Sequence, residues 1–530
     1  MKRMLALLLL SISACQSEIP GVTLLPAEDQ LRADVYWLAD DARDGRLPGT
    51  PGAEQAANYI ETRFETLGLE PLASLRNYRQ TFTLPGRTAI GPRTALRAGG
   101  KPAILAADYR PLAFSMNGAF SGPVAFAGYG VVSKKYAYDD YAGIDVTDRV
   151  VVAMRYEPHD ASGKSRFTNG AFTGDAAITA KARAAQARGA KALLLVNPPL
   201  HHADDAPLRP FIAQGAHTAE SSIPVLSITP DFAETLLAGR SIAELQEQID
   251  RDGKPALLLV DDVTVSGEVD LQVTPISTDN VVAMLPGIGP TKDEFVLIGA
   301  HYDHIGRGQL SSRGRGSDAI HNGADDNASG IAVMLAAARR LANHRLNRSV
   351  VFVAFSGEES GLIGSDYFVD HPPVPVEKIT AMINLDMVGR LRKNTLFVGG
   401  DGTRAAFSKI LAAADQASPI ELMSIGKGGY GPSDQQSFAM KKVPVLFFFT
   451  GLHDEYHRPE DDAPLINYSG LGEVADIVTG VIARLSDEAS EPYVGAYDSR
   501  PINAQINPSA TTRPTTRPAT TRATTQKLNQ

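Results

Sequence analysis

Four apolar runs in the second half of the chain each end in side chains of the kind that bind metal ions, and this repeated pattern constrains the fold most. The side chains that follow these runs are His301 with Asp303, Glu358 with Glu359, Asp386, and His457. In an open α/β sheet, ligands bind in the crevice beside the carboxyl ends of the strands. The pattern therefore predicts a sheet whose carboxyl edge carries imidazoles and carboxylates.

A further acidic cluster lies in the loop after the first run, at 323–327, where Asp325 and Asp326 precede Asn327. An Asp or Asn before a helix is commonly an N-cap, but two acids and an Asn exceed what capping needs. One carboxylate can bridge two metal ions about 3.5–4 Å apart. Two imidazoles and three carboxylates suit a pair of zinc ions, so the chain is predicted to be a di-zinc hydrolase.

Neighbouring side chains in these motifs suggest further roles. Asp303 follows His301 by two residues, so in an extended chain both side chains point to one side. A carboxylate there can hold the second ring nitrogen of His301 and fix its tautomer. Glu358 and Glu359 are adjacent and their side chains diverge, so one can bind metal while the other acts as a general base.

The last two motifs carry an acid and a phenol. Asp386 lies in the apolar stretch 382–387, where a carboxylate is rarely buried without a partner, and a metal ion is the simplest one. Tyr456 precedes His457 and could donate a hydrogen bond to a developing oxyanion. Each motif alone has an ordinary structural interpretation, such as a cap or a solvated turn, whereas the five in order favour a metal site.

The first residues of the chain are typical of a targeting segment. Lys2 and Arg3 precede a short apolar core at 5–10, which is too short to span a bilayer. The following residues, 12–15, resemble a bacterial lipobox, in which cleavage falls before the Cys and the thiol carries lipid. Cys15 is the only Cys in the chain. We therefore predict a signal peptide at 1–14, lipid on Cys15, and an exported protein at the periplasmic side of a bacterial membrane or outside the cell. A plain secretory signal is the alternative.

Net charge and composition limit the kinds of binding partner that the chain is expected to have. The net charge is 51 − 60 = −9, which disfavours nucleic acid. Loss of Lys2 and Arg3 with the signal would make it 49 − 60 = −11 and leave no thiol after lipidation, so a metal would be held by His, Asp and Glu. The Thr/Pro/Arg repeats at 500–530 have no apolar periodicity and predict a disordered, solvated tail, with surface binding as the alternative.

The middle of the chain divides into segments that differ in their pattern of predicted strands and helices. Residues 28–85 are predicted to be helical with a turn, within an N-terminal part of the catalytic domain at 28–110. Residues 111–265 alternate short strands with turns, and 270–486 alternate apolar strands with helices. The fold class is therefore α/β, with a mixed, mostly parallel sheet flanked by helices and a β-rich insertion.

The motifs together resemble metallopeptidase family twenty-eight, the family of secreted bacterial zinc aminopeptidases, with glutamate carboxypeptidase and transferrin receptor as relatives. The likeness rests on 301–303, 323–330, 356–359, 384–387 and 456–459. It implies a zinc aminopeptidase/phosphorylase-like fold. The segment 111–265 is similar to a protease-associated domain, because 145–152 and 181–196 match the strand and lysine-helix pattern of such domains.

The resemblance also implies a role for each residue. Asp326 would bridge two Zn²⁺ ions, with His301 and Asp386 completing one site and Glu359 and His457 the other. Glu358 would be the general base for a zinc-bound water, Asp303 would support His301, and Tyr456 would stabilise the tetrahedral intermediate. The substrates would be peptides with a free N-terminus. One departure is Gln435 in Ser433-Asp434-Gln435, where the family often has His, which puts the detail of the pocket in doubt.

Three other functions remain open. A carboxypeptidase of the glutamate-carboxypeptidase type is disfavoured because its extra helical domain is not evident after residue 486. A glutaminyl cyclase of similar fold uses one zinc ion and usually lacks the insertion. A receptor-like scaffold without activity would be expected to have lost ligands, and none is missing here. His321 and His453 match no ligand position and are interpreted as loop residues.

Overall fold

The structure is a computed structural model that describes residues 27–494, apart from 171, 202–204, 210, 212–220, 309–311, 314–318 and 416–417. The predicted signal peptide, Cys15 and the predicted tail at 500–530 lie outside these residues. Within the described part of the chain, no helix has both the length and the apolar character needed to cross a membrane.

Ten α-helices occur in the described residues, and sequence signals explain several of their ends. Thr50 caps the second helix by accepting a hydrogen bond from the Ala53 amide, and Pro51 occupies its first turn. Gly68 then takes the left-handed conformation that ends it, with φ +72°. The α-helices are α1 Ala27–Leu38, α2 Pro51–Thr66, α3 Ile178–Gln186, α4 Pro230–Leu236, α5 Ile242–Asp252, α6 Gly330–Leu341, α7 Ile363–Asp370, α8 Phe407–Asp415, α9 Gln435–Met440 and α10 Tyr468–Asp487.

The strands of the described residues form two large sheets and one short hairpin. Short helical turns of the 3₁₀ type lie at Asp41–Arg46, Gly174–Ala176, Val376–Lys378 and Ala463–Leu465, and a wider turn lies at Ala324–Ser329. The strands are β1 Arg79–Ile90, β2 Ala95–Ala98, β3 Lys101–Pro102, β4 Tyr109–Pro111, β5 Gly118–Ala127, β6 Val132–Ser133, β7 Tyr138–Asp139, β8 Val150–Met154, β9 Ala192–Val196, β10 Val225–Ile228, β11 Leu257–Val269, β12 Leu271–Leu285, β13 Phe295–His301, β14 Ser349–Phe355, β15 Ile379–Leu385, β16 Thr395–Gly399, β17 Glu421–Gly426 and β18 Val445–Phe449.

The first sheet has the strand order β1-β12-β14-β13-β15-β18-β16-β17. Its four central strands, β14, β13, β15 and β18, run parallel to one another, whereas β12 and β16 pair antiparallel at either side. Helices α1, α2, α6, α8 and α10 bury their apolar residues against one face, and α7 and α9 cover the other. The predicted fold class, a mixed and mostly parallel α/β sheet flanked by helices, is confirmed.

The second sheet has the order β3-β2-β11-β5-β8-β9-β10-β4, with β5, β8, β9 and β10 parallel. It has its own apolar clusters, built from residues between Leu96 and Leu271. Its strands therefore run from 95 to 269, beyond the interval 111–265 that the pattern of short strands and turns predicted. The early strands β2 and β3 are four and two residues long, too short to give an apolar pattern.

One further difference concerns the segment 28–85, which was predicted to be helical with a turn. Strand β1 begins at Arg79 and pairs with β12, from Arg79 opposite Val281 to Ile90 opposite Leu271. Buried and exposed residues alternate along most of β1, which is the period of a strand and not of a helix. The N-terminal segment thus adds an edge strand to the first sheet.

Candidate metal centre

The side chains singled out in the sequence meet at the carboxyl edge of the four central strands of the first sheet. His301 is the last residue of β13, Glu358 and Glu359 follow β14, and Asp386 directly follows β15. His457 lies in the loop after β18, and Asp326 lies in the wide turn before α6. Adjacent parallel strands therefore deliver these groups to one place, as the topology of an open sheet requires.

The first half of the centre is formed by one imidazole and two carboxylates. His301 Nε2 lies 3.3 Å from Asp326 Oδ1 and 3.4 Å from Asp386 Oδ1. The second half has the same composition. His457 Nε2 lies 3.2 Å from Asp326 Oδ2 and 3.3 Å from Glu359 Oε2. Asp326 thus offers one oxygen to each half and stands between them.

These separations fit a metal ion in each half. Zinc binds nitrogen and oxygen at about 2.0–2.1 Å, so the edge of a tetrahedral site is about 3.3–3.4 Å long. Two of the atoms involved, His301 Nε2 and Asp386 Oδ1, are buried without a hydrogen-bond partner. Buried polar atoms rarely lack a partner, so the donor set fits a pair of cations.

The carboxylates of the centre differ in their electrostatics. Burial raises the pKa of Glu358 well above its usual range, and the negative charges of Glu359 and Asp386 add to this against the opposing effect of His301. Burial acts the same way on Asp326, but hydrogen bonds with His301 and His457 outweigh it and hold its pKa well below the usual range. Burial therefore favours the protonated form of Glu358, whereas the imidazoles favour the ionised form of Asp326.

Asp303 is placed beside His301, but its carboxylate does not hold the second ring nitrogen. His301 Nδ1 lies 3.1 Å from the main-chain oxygen of Asp303 and 3.9 Å from its carboxylate Oδ1. That carboxylate oxygen instead accepts a hydrogen bond from the Glu358 amide at 3.3 Å. The main-chain oxygen thus fixes the His301 ring, and the Asp303 side chain links the β13 loop to the β14 loop.

Tyr456 lies against the centre, with its ring 3.9 Å from the ring of His457. Burial raises its pKa, and the charges of Asp326 and Glu359 raise it further, so it remains a phenol that can donate a proton. Tyr456 also lines a cavity of about 110 Å³ that opens on Asp326, Glu358 and Asp386. The cavity connects the candidate metal centre with apolar side chains.

A further group of charged residues lies behind Asp326 and was not predicted in the sequence analysis. The Asp461 carboxylate accepts hydrogen bonds from the amides of Asp325, at 3.2 and 3.0 Å, and Asp326, at 3.1 Å. His453, interpreted as a loop residue, lies 3.3 Å from Asp325 Oδ2 through Nε2. This group fixes the backbone of the wide turn that carries Asp326. The acidic run 460–462 was the only hint of it in the sequence.

Gln435, which differs from the His that the family often has here, contacts the end of β15. Asn384, two residues before Asp386, donates hydrogen bonds to Ser433 Oγ at 2.8 Å and to Gln435 Oε1 at 2.7 Å. Gln435 is buried. It therefore supports the end of β15 from beneath and leaves the ligand atoms themselves unchanged.

Fold and site together define a class of protein: an open α/β sheet that carries a candidate two-metal centre at the carboxyl ends of its parallel strands. Part of the chain is similar to a known family within this class. Residues 280–482 match the model of Peptidase family M28, and this range holds all the residues of the centre. This domain of the chain is therefore similar to that family.

Similar proteins extend the comparison. Aminopeptidase YwaD from Bacillus subtilis (strain 168) is 26% identical over 347 residues, 63% of this chain and 65% of that protein, so the match spans just under two thirds of the relative. An aminopeptidase from Aneurinibacillus sp. strain AM-1 has a similar structure, with a TM-score of 0.54, 21% identity, and coverage of 89% of this chain and 97% of that one. BSAP, a zinc aminopeptidase from Bacillus subtilis, has a TM-score of 0.54 at 22% identity, with 89% and 99% covered. These structures share the fold.

Proposed function

We propose that this chain is a zinc-dependent aminopeptidase that releases N-terminal residues from peptides. The observation that carries the proposal is the bridging position of Asp326, whose two oxygens lie 3.3 and 3.2 Å from the ring nitrogens of His301 and His457. The family match and the names of the similar proteins, an aminopeptidase and a zinc aminopeptidase, support it.

Five side chains would hold two zinc ions. His301 and Asp386 would complete one site and Glu359 and His457 the other, with Asp326 shared. When bound, the ions would polarise the peptide carbonyl and lower the pKa of a water nucleophile. The two halves of the centre, each with one imidazole and two carboxylates, support a pair of ions.

Glu358 would move the proton. It lies 4.0 Å from His301 Nε2, without belonging to either half of the bridged set, and it faces the cavity. A carboxylate in this place takes a proton from the attacking water and returns it to the leaving amine. Asp303 would act through Glu358, because its carboxylate accepts the Glu358 amide hydrogen bond.

Tyr456 would stabilise the transition state. It remains protonated because burial and the nearby carboxylates raise its pKa, and its ring lies beside His457. A phenol at the edge of the cavity can donate to the oxyanion that develops on the carbonyl oxygen, and such donors contribute strongly in a water-excluded site.

The cavity indicates the class of N-terminal residue. Its wall contains the apolar side chains of Met387, Phe447, Phe449 and Leu452, and the first three are buried in one cluster. Its floor carries carboxylates, which attract the ammonium group of a free N-terminus. We therefore expect a preference for a medium-sized apolar first residue.

The test is a set of aminoacyl-p-nitroanilides with free and blocked amines, assayed with and without a chelator. Release from the free-amine compounds alone, abolished by the chelator and restored by zinc, is expected. Glu358→Gln should lower kcat about 10²–10⁴-fold with zinc content unchanged, whereas Glu359→Gln should lose zinc. Cleavage only of peptides with a free C-terminus would instead support the carboxypeptidase. A chain without bound zinc would support the scaffold.

We also propose that Cys15 carries lipid and anchors an exported protein. The proposal rests on the basic Lys2 and Arg3, the short apolar core, and the single Cys. Expression in bacteria with labelled palmitate should label the protein in the membrane fraction, and Cys15→Ser should remove the label. Labelling that persists in Cys15→Ser would contradict it.

A further inference from the structure

His304 is a buried histidine of the centre that belongs to neither half of the five-residue set. It lies three residues after His301, its side chain has no exposure to solvent, and neither ring nitrogen has a well-aligned hydrogen-bond partner. Burial of an imidazole without a hydrogen-bond partner costs free energy. A neighbouring group should therefore interact with the ring.

The Glu359 carboxylate lies beside the His304 ring. His304 Nδ1 lies 2.8 Å from Glu359 Oε1, and 3.9 Å from Asp326 Oδ2. Its ring meets the ring of His457 edge-on, with centroids 5.7 Å apart. His304 therefore sits against the second half of the centre, closest to the Glu359 carboxylate.

The two oxygens of Glu359 have different surroundings. Oε2 lies 3.3 Å from His457 Nε2, which is the edge length of a tetrahedral zinc site, about 3.3–3.4 Å. Oε1 lies 2.8 Å from His304 Nδ1, which is the length of a charge-assisted hydrogen bond, about 2.7–2.9 Å. Oε2 thus faces the metal position, and Oε1 faces His304.

The backbone holds the His304 ring in this place. A Cβ atom on Gly323 would lie 2.6 Å from both Cγ and Cδ2 of that ring, so the glycine leaves just enough room for it. The His304 amide also donates to the main-chain oxygen of Arg46 at 3.3 Å. The ring therefore has little freedom to turn away from Glu359.

We propose that His304 is a positioning residue that donates from Nδ1 to Glu359 Oε1 and so restricts Glu359 to binding the second metal through Oε2 alone. The proposal rests on the proposed di-zinc function. Metal-bound carboxylates are commonly oriented by such outer hydrogen bonds, and their loss typically lowers metal affinity about 10–100-fold. The weaker binding should be confined to the half that contains Glu359 and His457.

The test is zinc titration of the apo-protein against a chromophoric chelator, which resolves two affinities without an activity assay. His304→Ala should weaken the second zinc about 10–100-fold and leave the first unchanged. His304→Asn should restore most of the affinity, because the Asn amide can place a donor where Nδ1 stood. His321→Ala is the matched control: His321 is also buried, but it pairs with Ser312 and with the Ala319 oxygen, so zinc affinity should not change.

Each other outcome overturns the inference. Unchanged second-site affinity in His304→Ala would make His304 an ordinary core residue. Loss of the second zinc in both His304 variants would make it a ligand. Equal weakening in His304→Ala and His321→Ala would indicate general loosening of the loops. If the wild-type chain binds no zinc, the proposed function fails together with the inference, whereas two zinc ions in the wild type with an unchanged His304→Ala overturn the inference alone.

Discussion

At the scale of single residues, Leu452 offers a test of the apolar cavity. It lines the cavity beside Tyr456 and is 41% exposed, so its substitution should not disturb the core. Leu452→Glu should lower kcat/KM for an N-terminal leucine substrate about 10–100-fold, because a good apolar contact is worth about 1–3 kcal/mol. Leu465→Glu is the matched control, since Leu465 is 45% exposed and does not line the cavity. Equal activities of the two variants would show that the N-terminal side chain binds elsewhere.

A second prediction concerns Arg46, which is fully buried. Its guanidinium donates to the main-chain oxygens of Tyr302, Leu38, Asn322 and Gly323 at 2.6–3.0 Å. It thus ties the N-terminal segment to the loops that carry His301 and Asp326. Arg46→Met should lower the free energy of unfolding by more than about 3 kcal/mol, because each buried carbonyl left without a donor costs about 1–3 kcal/mol.

Denaturant titration would measure the Arg46 effect, and the nearby Arg43→Met serves as its control. Arg43 stacks over Trp37, 4.2 Å from the ring centroid, and pairs with the exposed Asp40. Because the Asp40 side chain is exposed, this pair should contribute at most about 1 kcal/mol. Equal losses in the two variants would mean that Arg46 does not brace the loops.

Arg46 and His304 also show the limit of inference from sequence at this scale. Four residues of the bridged set could be predicted to lie together because each follows an apolar run and strand ends converge in an open sheet, and Asp326 was added from the acidic cluster in the loop after the first run. Arg46 is the last residue of a short 3₁₀ turn with no periodic pattern, and the sequence around a single His does not identify its partner. Their roles depend on contacts across more than fifty residues of sequence, from Arg46 to Asn322 and from His304 to Glu359.

At the scale of elements, Lys181 of α3 makes the second sheet sensitive to pH. Its ammonium group is buried and donates to the main-chain oxygens of Tyr129, Met154 and Tyr156. Burial lowers the pKa of Lys181 to about 7, against the attraction of Asp140 and Glu157. In the unfolded chain the pKa of a lysine is about 10.4. Below pH 7 both states are charged, and the cost of burial is fully present.

Between these two pKa values the unfolded chain holds a proton that the folded chain has lost, so stability rises with pH, by at most about 1.4 kcal/mol per unit. Asp140, whose pKa burial raises to about 7, titrates mainly below this window. Unfolding of the second sheet should therefore be harder at pH 9.5 than at pH 7.5 in the wild type, relative to Lys181→Met. A difference between the two proteins that does not change with pH would refute this.

Helices and strands could be predicted where they contain long apolar runs, and the short strands could not. The alternation of apolar strands and helices at 270–486 was expected because strands such as β14 and β15 are continuous apolar runs. The short strands β2 and β3 were missed because Ala95–Ala98 and Lys101–Pro102 are stabilised by pairing with distant partners, as when Leu96 lies opposite Gly267. Strand β1 was missed because its alternation is completed only by its long pairing with β12.

At the scale of the whole molecule, the two large sheets formed by the described residues have separate cores, and the candidate metal centre lies on the first. The apolar clusters of the first sheet draw on α1, α2, α6, α8 and α10 and on α7 and α9. Those of the second lie between Leu96 and Leu271. A ligand that binds only the folded state stabilises the unit that binds it. Zinc should therefore act on one sheet and not on the other.

We expect thermal unfolding, followed by calorimetry with zinc and with a chelator, to show two transitions of which only one moves. Free zinc at about 100 times its dissociation constant adds about 2.7 kcal/mol to the folded state, and each kcal/mol shifts the midpoint of a unit of this size by about 2–4 °C. The metal-sensitive transition should thus move by about 5–10 °C. In His301→Ala, which lacks a ligand of the first half, the shift should shrink, whereas the other transition should keep its midpoint. If both transitions moved together in the wild type, the two sheets would unfold as one unit, and metal binding at the edge of one would stabilise the entire chain.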